Sequence, residues 1–387
     1  MADSQPLAPR HADILTIGFG TTVAMWAAGY LLWLPPLRHP EVSALALLVM
    51  LGRGAAVAGQ IAPRGWRGGL LVGLLASLLN LLVLGSLLGG RGGDPLVPSA
   101  LLWLPGSLVL GAGLGALGGA TGAWVKAARL RSGLPEPPPP NWTAAFCGVA
   151  ATATFFLLIV GGVVTGNEAG LAVTDWPNSF GTNMFLFPLS RMTGGIYYEH
   201  AHRLFGSLVG LTTLVLAVYL QRADDRPRVR RFALLALALV VVQGVLGGLR
   251  VTGRFTLSAD PADTAPSLAL AVVHGVTGQL FLAALVALAA VTTTRWRAGP
   301  PAEALPAAAT DRGLTRLLAA ALVVQLALGA IQRHLASGLL VHVSFAVVVV
   351  ALALGAGVRA WGVHERRPPL PGLGKLLLVS VGLQILL

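Results

Sequence analysis

Residues 232–249 read FALLALALVVVQGVLGGL, a run with one polar side chain, Gln243, and no charge. The apolar and polar alternation of a half-buried strand is absent. At 1.5 Å per residue, a continuous run of about 20 crosses the roughly 30 Å of bilayer hydrocarbon as a helix. Barrel strands would show short alternating segments instead. Working outward, comparable runs are predicted at about 13–35, 41–62, 68–90, 99–125, 143–165, 200–220, 266–292, 315–332, 339–358 and 375–387, making eleven with 232–250; the second holds Arg53. Hydrophobic residues make up 55% of the 387 and charged ones 11%, and the mean hydropathy is +0.76. That leaves too little polar surface to cover a water-soluble globule. The fold class is therefore an all-α polytopic membrane protein. A single cysteine, Cys147, excludes an intramolecular disulfide and a thiolate metal cage.

A formal charge of +12 would suggest nucleic acid in a soluble chain, but the positions of the charges point to topology. Arginine gathers in 221–231, 293–316 and 359–375, and the intervening loops 166–199, 251–265 and 333–338 carry one or two basic residues each. The positive-inside rule makes the first set cytoplasmic, so no nucleic-acid partner is expected. Met1 to Asp13 is polar and precedes a full-length span, which is not a cleavable-signal pattern.

Proline divides the chain. The run Pro135-Glu-Pro-Pro-Pro-Pro140 cannot continue a helix. It separates a Gly- and Leu-rich leader of about four spans, 1–128, of unknown role, from a linker at 129–142 and a first four-helix unit at 143–297. A second Pro- and Ala-rich linker, 298–313, precedes a second unit, 314–387. The two units read as copies, because the pair Gly161 and Gly170 recurs with unchanged spacing as Gly329 and Gly338. Each pair is followed by a span with a histidine, His202 or His342, and then, at nearly equal separation, by a glutamine, Gln243 or Gln384. His274 lies beyond Gln243, and the chain stops before a counterpart. The expectation is a tandem four-helix-bundle repeat, related by an axis along the membrane normal, with the last helix of the second unit absent.

Ionisable residues inside spans are costly and mark function by default. His202, His274 and His342 are predicted at similar depth near the non-cytoplasmic ends of their spans. His202 and His274 stand two helices apart, where imidazoles can face each other across a bundle and ligate haem iron. Glu199 lies three residues before His202 on the same helical face, placed to act on a proton or to stabilise positive charge. Arg203 is a candidate partner for a haem propionate or for that acid. His200 is read as interfacial, His334 as a surface residue, and His11, His39 and His364 are given no role. The loop holding Thr174-Asp-Trp-Pro-Asn-Ser-Phe180 is expected at the interface, over the haem edge. Gly247 and Gly248 after Gln243, and Gly329 after Gln325, are read as sites of close helix approach.

Glu199-His-Ala-His-Arg203, Asp175-Trp-Pro177, Gln243-Gly-Val-Leu-Gly-Gly248, His274, and Arg333-His334 ahead of His342 resemble the haem A synthase family over about 143–387. The resemblance implies two four-helix halves with haem-ligating histidines. It also implies an oxidoreductase acting on a CH3 group, turning the C8 methyl of haem O into the formyl of haem A for cytochrome oxidase. His202 and His274 would hold the substrate haem O with Glu199 as the essential acid, and His342 would be one ligand of a second haem, haem b. Partners implied are haem O and haem A, haem O synthase, the cytochrome oxidase assembly machinery, an unspecified electron acceptor and a further copy of the chain. The location implied is the bacterial plasma membrane. Two departures stand out: the cysteine pair many members carry in the first outer loop is missing, and the second haem site is incomplete without an eighth helix. A non-catalytic membrane haem carrier or electron-transfer protein is the alternative, and a solute transporter a weaker third.

Overall fold

The computed structural model describes residues 11–34, 40–61, 64–87, 99–136, 138–252, 268–299 and 307–386. The expectations for the polar N-terminus, for His39, for most of the 251–265 loop, for residues 300–306 of the second linker and for Leu387 lie outside the described residues. The helices are α1 (Ala12–Leu32), α2 (Pro40–Ile61), α3 (Gly65–Leu87), α4 (Ala100–Arg131), α5 (Trp142–Gly166), α6 (Gly195–Ala223), α7 (Pro227–Val251), α8 (Leu268–Val291), the single turn α9 (Thr294–Arg297), α10 (Ala308–Leu335), α11 (Leu339–Val358) and α12 (Leu370–Leu386). Each of the eleven predicted spans is a helix. Among the described residues nine are long and apolar enough to cross a membrane, while the apolar parts of α2 and α12 are shorter. The protein is an all-α, multi-pass integral membrane protein.

Local signals set the helix boundaries. After the proline run, Asn141 caps α5, its Oδ1 accepting the Ala144 amide at 3.1 Å. Pro227 opens α7 at the first turn, where its missing amide hydrogen costs no bond.

The chain clusters into two units. The first holds α1 to α7, α9, and α8 from Gly278 onward. Its four N-terminal helices do not form a body apart. Phe19 of α1 meets Phe146 of α5 (ring centroids 5.5 Å), Tyr30 meets Phe156 (5.9 Å), and one buried core runs from Phe19 and Trp26 through Leu208, Leu216 and Leu285. Helix α4 crosses α3 on glycines: a Cβ added at Gly119 would lie 2.9 Å from the Gly69 Cα, and Gly73 faces Gly111 and Gly115 in the same way. Small residues four apart let membrane helices approach to backbone contact, where dispersion replaces the missing hydrophobic driving force.

Two of the arginine-rich loops meet in this unit. Buried Asp224, between α6 and α7, accepts from Arg226 Nη2 at 2.6 Å and from Arg297 Nη1 of α9 at 3.3 Å. Burial alone would raise the Asp224 carboxyl, but these guanidinium bonds outweigh it and hold it below the usual carboxylate range.

The second unit holds α10 to α12 and α8 up to Thr277. Its core is Leu318, Ala321, Val349, Ala353 and Ala356. Asp311 in the first turn of α10 accepts from Arg359 Nε and pairs with His364 Nε2, each at 2.7 Å. This ties α10 to the π-helical turn that follows α11. His364 is thus a buried structural histidine, although its position in the sequence suggests only a loop.

Candidate functional site

Each copy of the histidine motif builds the same contact. In the first unit His202 of α6 lays its imidazole on Gly161 of α5: a Cβ there would sit 3.0 Å from Cε1, 3.4 Å from Nδ1 and 3.8 Å from Nε2. In the second, His342 of α11 lies on Gly329 of α10, with the corresponding distances 3.0, 3.6 and 3.8 Å. Any larger residue at either glycine would push the ring away. The residue one turn before each glycine also faces its ring. Leu157 offers its carbonyl to His202, and Gln325, at the matching position of the other copy, reaches His342 Nδ1 at 3.1 Å through its Nε2. Gln325 was legible only as part of a packing motif, yet it contacts a candidate ligand.

His202 Nδ1 is buried without a hydrogen-bond partner among the described residues. A buried imidazole with one nitrogen unused and a glycine beneath its ring is a residue that could hold a haem iron, the other nitrogen of such a ligand being commonly held by a carbonyl. Among the described residues no cluster of three or more His, Cys, Asp or Glu side chains forms a metal cage. His274 lies half-buried on α8, in the part that clusters with the second unit. One turn further, at Gly278, α8 meets Gln243 of α7, whose Oε1 lies 3.4 Å from a Cβ built there.

Glu199 and Arg203 are both buried on α6 and pair at 3.0 Å between Oε1 and Nε. The rest of the Arg203 guanidinium clamps the preceding loop. Nη1 donates to the carbonyls of Asp175 (2.6 Å) and Asn178 (3.1 Å), and Nη2 donates to that of Val173 (2.5 Å). Four of the five N–H donors of the fork are thus used within the protein. His200, read from sequence as interfacial, is instead fully buried: its Nδ1 meets Ser179 Oγ at 3.1 Å and its ring packs on Phe187. The loop folds over it, which spacing within α6 could not reveal.

That loop is built on the Asp-Trp-Pro motif. Asn178–Ser179 pairs with Thr182–Asn183 in a two-residue hairpin. Its turn residues, Phe180 and Gly181, both have positive φ (51° and 74°), as a type I′ turn requires. Phe180 carries a Cβ in that strained region, and Asp175 offsets the cost by accepting the amides of Phe180 and Gly181, each at 2.8 Å. Trp176 lies flat over α7 at Gly248, where an added Cβ would overlap the indole. The small residue there admits a loop side chain, which corrects the expectation of close helix approach.

Gly248→Val is accordingly expected to destabilise the loop by about 1–3 kcal/mol, because the indole must leave. Gly244→Val, where a Cβ meets open space, is expected to leave the loop's resistance to protease unchanged. Equal cleavage in both variants would contradict the packing. Asp175 gives the loop a pH dependence. Burial alone would raise its carboxyl, but the Gly181 and Phe180 amides and the Arg203 charge outweigh this and hold it below the usual range. A depressed carboxylate contributes its stability above the unfolded value of about 3.9 and loses it as pH falls through the native one. Exchange protection at Phe180 and Gly181 should hold from neutrality down to about pH 4 and then fall. In Asp175→Asn that acid step should vanish, and its persistence would contradict the assignment.

Arg250, at the end of α7, escapes sequence reading because a basic residue after an apolar run looks like an interfacial anchor. Its guanidinium packs on Gly170, 2.8 Å from a Cβ built there, and its charge acts on both Glu199 and His202. Arg250 Nε is buried without a partner among the described residues.

Comparisons with known proteins converge on the same segment. The family model for the cytochrome oxidase assembly protein matches residues 144–343, just over half of the chain, from α5 to the residue after His342. The chain is 31% identical over 169 residues to the heme A synthase of Caulobacter sp. (strain K31), covering 42% of this chain and 43% of the relative. It is also 31% identical over 170 residues to the heme A synthase of Caulobacter vibrioides, with the same coverage. The chain thus spans less than half the length of the curated relatives it matches. No solved structure matches it. With the family model spanning both imidazole-on-glycine contacts and the loop clamped by Arg203, the chain belongs to the cytochrome oxidase assembly protein family.

Proposed function

We propose that this protein is a haem A synthase, an oxidoreductase that converts the C8 methyl group of haem O into the formyl group of haem A. The observation that carries the reading is the repeated contact of His202 with Gly161 and His342 with Gly329, together with buried Glu199 one turn from His202. Both curated relatives carry the heme A synthase name. His202 and His274 are the proposed ligands of the substrate haem, and His342 contributes a ligand to a second haem, haem b. The two equal contacts favour a duplicated unit, 143–297 and 314–387, behind the 1–128 leader.

A bound haem supplies the redox chemistry that no side chain provides for an unactivated methyl. The protein's part is positional. The Gly161 cradle fixes the His202 ring, the clamped loop keeps water from α6, and Glu199 holds a carboxylate where a proton or developing positive charge can be met. Arg203 keeps that carboxylate oriented while holding the loop, and its remaining N–H donor is available to a propionate. The arginine-rich loops that meet at Asp224 support a cytoplasmic position for those ends of α6 and α7, and so a non-cytoplasmic one for the haem sites. The expected setting is the bacterial plasma membrane, beside haem O synthase and the oxidase assembly machinery.

Membranes that make haem O but lack this activity provide the test. On expression of this chain, extracted pigments should contain haem A. Haem bound to the purified protein without any haem A formed would instead favour a non-catalytic haem carrier.

A further inference from the structure

The leader, which the family model does not cover, encloses a cavity of about 510 Å³ against α6. Trp26 and Tyr30 of α1 and Trp33 just after it line the cavity, and α6 adds Tyr197 and Phe205. These rings are ordered among themselves. Tyr30 stacks on Tyr197 (5.6 Å, 14°), Trp26 meets Phe205 edge-on (5.4 Å), and Tyr197 Oη donates to the Tyr30 carbonyl at 2.7 Å. The lining also includes Leu48 and Leu110, which are exposed.

Ser77, Ser107 and Asn80 supply polar side chains to the lining, and Asn80 is the one that can set its specificity. Asn80 lies on α3, and Trp26 Nε1 donates to Asn80 Oδ1 at 2.8 Å. Because an indole nitrogen is only a donor, this bond fixes which end of the amide is oxygen. Asn80 Nδ2 is left with the Met25 thioether, a weak acceptor 3.7 Å away. An amide donor so poorly matched inside a span is costly, and a carbonyl from a ligand would satisfy it. The Tyr30 hydroxyl, in the same aromatic wall, has no hydrogen-bond partner among the described residues.

A second cavity of equal size shows what an acyl chain alone would select. It is lined by Leu, Phe and Val only, among them Leu15, Phe19, Leu75 and Val215, with no polar side chain. The aromatic cavity differs by offering flat faces for a ring and a hydrogen-bond donor at its edge. We propose that it binds a lipid-soluble ring compound bearing a carbonyl, of the isoprenoid quinone class, with Asn80 donating to the carbonyl and the aromatic rings of α1 and α6 packing on the ring. This assignment is independent of the haem reading, since its polar anchor and most of its wall belong to the leader.

Titration of the purified full chain in detergent with a quinone carrying a two-isoprene tail tests it, with quenching of tryptophan fluorescence as the readout. Saturable quenching is expected, with the apparent Kd raised at least about tenfold by Asn80→Leu, which removes the donor. Ala44→Phe, which fills the cavity from α2, should abolish it. Haem content, measured on the same samples, should be the same in all three proteins. Equal quenching in wild type and both variants would overturn the proposal by showing detergent-phase collisions, and displacement of the quinone by an equimolar saturated fatty acid would overturn it in favour of an acyl groove. A chain that binds the quinone but no haem would refute the haem A synthase reading and leave this one standing.

Discussion

Replacing Glu199 by Gln is expected to lower haem A formation at least about 100-fold, the usual contribution of a positioned acid or base, while haem content stays that of the wild type. Gln keeps the length of the side chain and an oxygen for Arg203 Nε, so the loop clamp at Val173, Asp175 and Asn178 survives. What it loses is the charge and the ability to exchange a proton next to His202. Extracted pigment from membranes carrying the variant separates the proposed catalytic role of this carboxylate from its pairing with Arg203. Undiminished haem A would show that Glu199 serves only as the buried partner of Arg203.

The larger structural effect is expected from Arg203→Met. The substitution preserves an unbranched apolar stem but leaves Glu199, 7% exposed at its side chain, without its ion-pair partner and with only the more distant Arg250 charge, and leaves three loop carbonyls without their donor. Removing one partner of a buried pair costs about 3–5 kcal/mol, more than the net worth of the pair itself, because the remaining charge stays desolvated. Thermal unfolding followed by intrinsic fluorescence should show a marked drop, with early protease cleavage between 167 and 194. Adding Glu199→Gln to Arg203→Met should recover part of the loss, since the orphaned charge is then gone. Additive losses in the double variant would contradict the coupling.

These outcomes rest on features of unequal visibility in the sequence. The spans were legible because bilayer thickness fixes their length, and each apolar run became a helix at its expected place. Gly161 and Gly329 were legible as repeat markers, and their physical role, as seats for His202 and His342, needed the fold. The contacts that pass between elements were not legible at all. His200 is buried by the loop that precedes α6, Trp176 lies on Gly248 of a helix that follows, and Arg250 acts on Glu199 from α7. Nothing in local spacing encodes such pairs. Asn80 escaped notice for a different reason: a single amide among leucines and glycines has no motif, and only its hydrogen bond from Trp26 sets it apart. The leader looked detached because a proline run follows it, whereas aromatic contacts of Phe19 and Tyr30 with α5 join it to the first unit's core.

The central claim is that His202 and His342 are haem ligands, and the reduced-minus-oxidised absorption spectrum of the purified protein, with pigment extraction, tests it most directly. The wild type should show a low-spin, histidine-ligated haem band, and His202→Ala should lose the substrate-site share of that band while its helical content is unchanged. A protein purified without haem, or a His202→Ala variant whose spectrum matches the wild type in intensity and position, would contradict the account.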